Sequence, residues 1–182
     1  MVKKPAYSNI HQDLINRCKK GDREAQFKIY ELYYKAMYNT SLRIVKSETE
    51  AEDLMQESFL SAFEKINTYS GKVSFGAWLK KIVVNRSLDS IKKQRLYFET
   101  LDEKVTLGLS DDIPGENEVD TENIRKAIME LPDGFRIVLT LYLLEGYDHE
   151  EIGQILNISS STSRSQYTRA RQKLVELLES NE

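Results

Sequence analysis

Apolar positions recur every three or four residues along most of this chain, the spacing that gives an α-helix one buried stripe. Ile10 to Lys20 reads as a short helix that Gly21 ends. Asp22 is placed to cap a longer one, in which Phe27, Tyr30, Tyr34, Met37, Tyr38 and Val45 share one broad face. Glu48 to Ile66 follows, with Leu54, Met55, Phe59, Ala62, Phe63 and Ile66 inward. Residues Asn67 to Lys72 break the pattern. Ser74 can cap a further helix whose stripe is Phe75, Trp78, Leu79, Ile82 and Val83, continuing to Leu88 and Ile91. From about Tyr97 to Val119 the periodicity fails, and Gly108, Pro114 and Gly115 punctuate it as in a linker. Helical spacing resumes at Thr121 with Ile124, Ala127, Ile128 and Leu131, and breaks at Pro132. It then runs from Asp133 through Ile137, Val138, Leu141 and Tyr142 to Gly146. No strand-like alternation is sustained and no internal repeat is found. The pattern predicts an all-α chain: two small helical domains, residues 8–95 and 120–180, joined by a flexible acidic linker at 96–119.

The stretch from Asp148 to Lys173 carries the most chemistry. It reads as two short helices around a tight turn. Asp148 can cap the first, with Glu151 three residues on completing a capping box. Ile152, Ile155 and Leu156 form its apolar face. Asn157 tolerates the left-handed conformation that would end it, and Ser159 can cap the next helix. That second helix offers Ser160, Ser161, Thr162, Arg164, Ser165, Gln166 and Arg169 outward, with Tyr167, Ala170 and Leu174 inward. Small hydroxyls near a helix N-terminus let backbone approach a groove. Arg and Gln can then read base edges, and Arg171 and Lys173 can hold phosphates. This is helix-turn-helix chemistry.

At 182 residues the chain has room for one domain or two small ones. Charged residues make up 30% and mean hydropathy is −0.52, which is the profile of a soluble chain. No apolar run approaches a membrane span, so no membrane insertion is expected. The opening residues lack the apolar core of a signal peptide, so the cytoplasm is the expected compartment. Cys18 is the single cysteine, and neither His11 nor His149 has neighbours in a ligand pattern, so no zinc site is expected. No phosphate loop, nucleophile signature or metal-ligand spacing appears. The chain is not expected to be an enzyme or to carry a cofactor.

The net charge of −3 argues at first against a nucleic-acid ligand, but its distribution matters more than the sum. Lys80, Lys81, Arg86, Lys92, Lys93 and Arg95 crowd one stretch, and Arg164, Arg169, Arg171 and Lys173 a second. Between them lie Glu99, Asp102, Glu103, Asp111, Asp112, Glu116, Glu118, Asp120 and Glu122. Two basic surfaces with an acidic segment between them fit a protein that touches DNA twice, weakly when alone. A carrier that holds both on DNA is implied.

With these residues laid out, the chain resembles the bacterial RNA polymerase sigma factors of the extracytoplasmic-function group, group IV, over nearly its whole length. GDREAQFKIYELYYKAMYNTSLRI, residues 21–44, is similar to the first helix of their promoter-melting domain. AEDLMQESFLSAFEKI, 51–66, resembles the helix that binds core RNA polymerase. FGAWLKKIVVNRSLDSIKK, 75–93, resembles the helix that engages the −10 element. LPDGFRIVLTLYLLEGYDHEEIGQILNIS with STSRSQYTRARQKL resembles the −35-binding domain. Four motifs in this order carry the resemblance. In the recognition helix the family commonly has Gly, Thr and an apolar residue where this chain has Ser161, Thr162 and Ser163. Gly153 stands where Ala is common, and Asn157 where Gly is common. These departures bear on the phase of the recognition helix.

The resemblance implies a factor that binds core RNA polymerase and directs initiation at promoter DNA, with an anti-sigma factor as a further partner. Asp53, Gln56 and Glu57 share a helix face. By pattern alone that face is an ordinary solvated one; by resemblance it meets the polymerase, with Leu54 and Phe59 mostly core. At the −10 element the resemblance places Asn67, Tyr69, Ser70, Lys72, Phe75, Trp78, Lys81, Asn85 and Arg86. Bases exposed on melting need stacking partners, worth about 1–3 kcal/mol each. Tyr69 is the aromatic expected to be available, whereas the helical spacing of Phe75 and Trp78 favours the core for both. The −35 candidates are Ser160, Ser161, Thr162, Arg164, Ser165, Gln166, Arg169, Arg171 and Lys173. Two other readings stay open on the residues alone. One is a helix-turn-helix regulator that binds its operator as a dimer, and the other a helical adaptor acting only through protein contacts.

Overall fold

The computed structural model describes residues 10–101 and 119–180, with side chains described for 10–94 and 122–179. Of the expected acidic linker, residues 102–118 lie outside the described residues, as do the opening residues 1–9. The described chain is helical, and no strand occurs in it. It divides into two compact units, Met1–Lys93 and Gln94–Glu182.

The N-terminal unit is built from α1 (Gln12–Lys19), α2 (Arg23–Val45), α3 (Glu48–Glu64), a short 3-10 turn (Ile66–Thr68) and the first part of α4 (Phe75–Leu101). Each junction has a local cause. Gly21 adopts φ +80° after α1. Asp22 Oδ1 then accepts from Ala25 N at 3.1 Å and starts α2. Lys46 turns left-handed at φ 66°, and Ser47 Oγ accepts from Glu50 N at 3.3 Å to start α3. Ser74 Oγ caps α4 by accepting from Ala77 N at 3.2 Å. The helices close on Ile15, Cys18, Ile29, Met37, Met55, Phe59, Phe75, Leu79 and Val83. Within this apolar set Ser41 Oγ and Ser87 Oγ pair at 2.9 Å, so a polar bond links α2 to α4.

Two expectations fail here. Phe27 is 61% exposed, because the buried stripe of α2 runs through Ala25, Ile29 and Met37. Two residues away from Ala25 and Ile29 is the opposite side of a helix. And α4 continues past Tyr97 to Leu101, while the next helix begins at Val119 rather than Thr121. Backbone bonding propagates without an apolar stripe, so fading periodicity did not mark where the helix stops.

The C-terminal unit comprises α5 (Val119–Glu130), α6 (Asp133–Leu139), α7 (His149–Leu156) and α8 (Ser160–Ser180). Ile128, Leu131, Leu139 and Ala170 form its centre, with Phe135, Leu174 and Leu177 against them. Arg136 is also buried, at 1% exposure. Its guanidinium donates to Leu131 O at 3.1 Å and Asp133 Oδ1 at 2.7 Å, tying the Pro132 corner together. The helix expected from Asp133 to Gly146 widens into a π turn at Thr140–Leu144, where Glu145 N donates to Thr140 O at 3.0 Å. The extra residue rotates Tyr142, expected inward, toward solvent at 37% exposure.

Phe59→Ala should lower the stability of the N-terminal unit by about 3–5 kcal/mol, whereas Phe27→Ser should change it by less than about 0.5 kcal/mol. Urea denaturation of the full chain followed by circular dichroism measures both. Equal effects would mean that α2 is rotated from the stripe described.

Candidate nucleic-acid interface

The α7–α8 pair is a helix-turn-helix closed by three local devices. Asp148 Oδ1 accepts from Glu150 N and Glu151 N, both at 2.8 Å, and Asp148 N donates to Glu151 Oε2 at 2.9 Å, the capping box in full. Asn157 takes φ 56° and ψ 47°, and Gly153 O accepts from both Asn157 N and Ile158 N. Ser159 Oγ then accepts from Thr162 N at 3.0 Å and starts α8. Gly153 is the residue that permits the close return. A Cβ there would lie 2.8 Å from Ile158 O and 3.5 Å from Ser160 N.

This turn presents α8 with Ser161, Thr162, Arg164, Ser165, Arg169, Arg171 and Lys173 exposed, and Ser160 and Gln166 half-buried. Ser159 Oγ lies 2.8 Å from both Ser161 Oγ and Thr162 Oγ1, so the N-terminal end carries a cluster of small hydroxyls. Arg171 leans over the Tyr167 ring at 6.0 Å, and Lys173 pairs with Glu176 at 3.0 Å. Inward lie Ser163, Tyr167, Ala170 and Leu174. Ser163, buried completely, meets His149 Nδ1 at 2.9 Å. Desolvation of the His149 ring, followed by the Arg164 charge, lowers its pKa below the usual histidine range, with Asp148 opposing.

The N-terminal unit brings a second set together. On α3, Asp53, Gln56 and Glu57 are exposed, while Leu54 and Phe59 are core. Leu60, 66% exposed, adds an apolar side chain beside this polar face, and the sequence pattern did not single it out. Its spacing from Gln56 and Glu57 was the available signal. On α4, Lys81 and Asn85 are exposed, but Arg86 Nη1 pairs with Glu57 Oε2 at 2.5 Å. One residue from each candidate set is thus engaged with the other.

The loop before α4 exposes Asn67, Ser70 and Lys72. Tyr69, expected to be available for a base, is instead 4% exposed. Its ring lies 5.4 Å from those of both Phe75 and Trp78, and its hydroxyl donates to Val73 O at 2.7 Å. Lys19 Nζ donates to Tyr69 O at 3.1 Å. An aromatic that can bury its ring and still satisfy its hydroxyl gains more inside than in water. Phe75, at 1% exposure, is likewise closed to a base, and Trp78 is only partly buried. Tyr69 and Phe75 therefore pack beneath the loop instead of lying open to solvent.

Among the described residues no three His, Cys, Asp or Glu side chains converge as metal ligands do, and no helix is long and apolar enough to cross a membrane.

Residues 29–97 match the family Sigma-70 region 2, and residues 121–174 match Sigma-70, region 4. The chain is 31% identical over 172 residues to the ECF RNA polymerase sigma factor SigW of Bacillus subtilis, covering 88% of this chain and 92% of that one. It is 33% identical over 158 residues to SigM of the same organism, covering 80% and 90%. Among solved structures, the sigma factor RpoE in complex with the anti-sigma factor NepR from Bartonella quintana has a TM-score of 0.65 at 22% identity, covering 84% of this chain and 95% of that one. CnrH in complex with the cytosolic domain of CnrY gives 0.57 at 20% identity, covering 94% and 99%. At such identities the likeness is one of fold.

Gly153→Ala should destabilise the C-terminal unit by about 1–3 kcal/mol through overpacking, although alanine is favoured over glycine in a helix by about 0.8–1 kcal/mol. Asn157→Gly should be near neutral, since glycine accepts the same left-handed backbone. Denaturant midpoints of the two variants test the close return; a stabilised Gly153→Ala would disprove it.

Proposed function

Because the chain belongs to the extracytoplasmic-function RNA polymerase sigma factors, we propose a division of promoter recognition among its own residues. The chain is a promoter-recognising initiation factor that binds RNA polymerase. Catalysis belongs to the polymerase, and this chain supplies selectivity. Residues 8–95 act as the region that docks on core enzyme and engages the −10 element, 96–119 as the connector, and 120–180 as the −35 reader. The exposed face of α3 (Asp53, Gln56, Glu57 and Leu60) is the polymerase contact. Asn67, Ser70 and Lys72, with Trp78, Lys81, Asn85 and Arg86, address the −10 strand. Ser160, Ser161, Thr162, Arg164, Ser165 and Gln166 read −35 bases, and Arg169, Arg171 and Lys173 hold phosphates.

The observation that carries this reading is the outward face of α8. Hydroxyls at its N-terminus and Arg164 about one turn on are presented by a tight turn, which is the arrangement major-groove readout needs. Holding two weak DNA contacts on one polymerase raises the effective concentration of the second, so neither needs to be strong alone. The same surfaces would be closed by an anti-sigma factor, the kind of partner found with RpoE. The working compartment is then the cytoplasm, where polymerase and promoter are.

Run-off transcription with purified core polymerase should give promoter-directed initiation only when this chain is added. No initiation, together with a nanomolar footprint on duplex DNA by the chain alone, would establish an independent regulator instead. Binding to neither core nor DNA would leave the adaptor. Within the same assay, Arg164→Ala should relax discrimination among −35 variants by about 1–3 kcal/mol. An equal loss on every sequence would reassign Arg164 to phosphate.

A further inference from the structure

The resemblance places an apolar side chain where this sequence has Ser163, and that serine is completely buried. A buried hydroxyl is costly unless it is paired. Its partner is His149, with Nδ1 and Oγ 2.9 Å apart. His149 is the first residue of α7 and Ser163 lies in the first turn of α8, so this bond spans the helix-turn-helix. The imidazole is itself fixed from the other side. It stacks on Tyr142 at 4.3 Å with an interplanar angle of 10°, and Tyr142 in turn meets Tyr167 at 4.5 Å. Tyr167 sits four residues after Ser163, on the same inward stripe of α8. Tyr142 lies within the π turn Thr140–Leu144.

We propose that His149 and Ser163 are positioning residues for −35 selectivity: their hydrogen bond sets the rotation of α8 about its axis and so decides which of Ser161, Thr162, Arg164 and Ser165 reach base edges. This rests on the reading of α8 as the −35 helix. Apolar packing is non-directional and lets a helix roll, whereas a hydrogen bond holds a defined direction. Recognition side chains have to be held to roughly 10–20°, and one residue of helical phase is about 100°. Ser163 is followed directly by Arg164, so any roll that breaks the bond also moves that guanidinium. Desolvation and then the Arg164 charge lower the pKa of His149, and a neutral imidazole can serve the serine as donor or acceptor.

The test is run-off transcription by the reconstituted holoenzyme on templates that share one −10 element and differ at single −35 positions. The readout is the ratio of initiation on the preferred template to that on each variant. Ser163→Ala and His149→Phe should each compress these ratios by about fivefold, the worth of one hydrogen bond. The double variant should go no further than either single one. His149→Asn, whose amide reaches the Nδ1 position, should keep the wild-type ranking. Ser163→Val combined with His149→Phe exchanges the bond for apolar packing; it should stay folded by circular dichroism yet show an altered ranking. Unchanged ratios, or one common loss on every template, would reduce the pair to a structural contact and overturn the proposal. A wild-type chain that does not discriminate at −35 at all would overturn the underlying reading, and that result needs no variant.

Discussion

Between α7 and α8 the chain reverses direction over Asn157, Ile158 and Ser159, and it can do so because Gly153 has no Cβ to meet the Ile158 carbonyl. The Gly153 carbonyl accepts from two backbone donors, Asn157 N and Ile158 N, which closes the end of α7. The left-handed Asn157 aims the next helix, and Ser159 satisfies its first turn. Each device is worth little alone, of the order of 1 kcal/mol. Together they fix where α8 begins, and the outward placement of its hydroxyls and arginines follows from that starting point and from the inward run Ser163, Tyr167 and Ala170.

The N-terminal unit works by the same logic, with aromatic packing in place of a turn. Tyr69, Phe75 and Trp78 form one contact group beneath the loop. Because Tyr69 turns inward and spends its hydroxyl on Val73 O, the neighbours Asn67, Ser70 and Lys72 are left outward. A loop held from below by a buried ring offers its polar side chains at defined places, which a solvated loop cannot do. The Arg86–Glu57 pair adds a link between the α3 face and the α4 face. Both side chains are partly exposed, so screening limits its strength. Its interest is positional: a cation proposed for DNA rests on a carboxylate proposed for the polymerase.

Electrostatics is consistent with the proposal that two DNA contacts are held on one polymerase. Phosphate neutralisation supplies most non-specific DNA affinity, and a net charge of −3 provides little of it. Part of the local positive charge is already engaged, Arg86 with Glu57 and Lys173 with Glu176.

Much of this was legible before any coordinates. Helix starts at Asp22, Ser47, Ser74, Asp148 and Ser159 are chemical statements about which side chain can accept a backbone N–H, and four of the five were read directly, Ser47 being the exception. The left-handed Asn157 and the inward run of α8 were equally local. The family was legible for the same reason, since its motifs are runs of neighbouring residues. Misreadings occurred where a side chain had a choice between two environments of similar local pattern. Phe27 and Ile29 differ in the sequence by two positions but lie on opposite sides of α2. Tyr69 had equal local reason to face water or Phe75, and packing on Phe75 and Trp78 beneath Lys19 of α1 settled it. His149 gave no signal at all, because its partner Ser163 is a helix away. The sequence by itself determined the elements, their caps and the helix-turn-helix, because those depend on contacts within a few residues. Only the tertiary structure decided which aromatic, which arginine and which histidine were occupied, because occupancy depends on what the fold brings near from far along the chain.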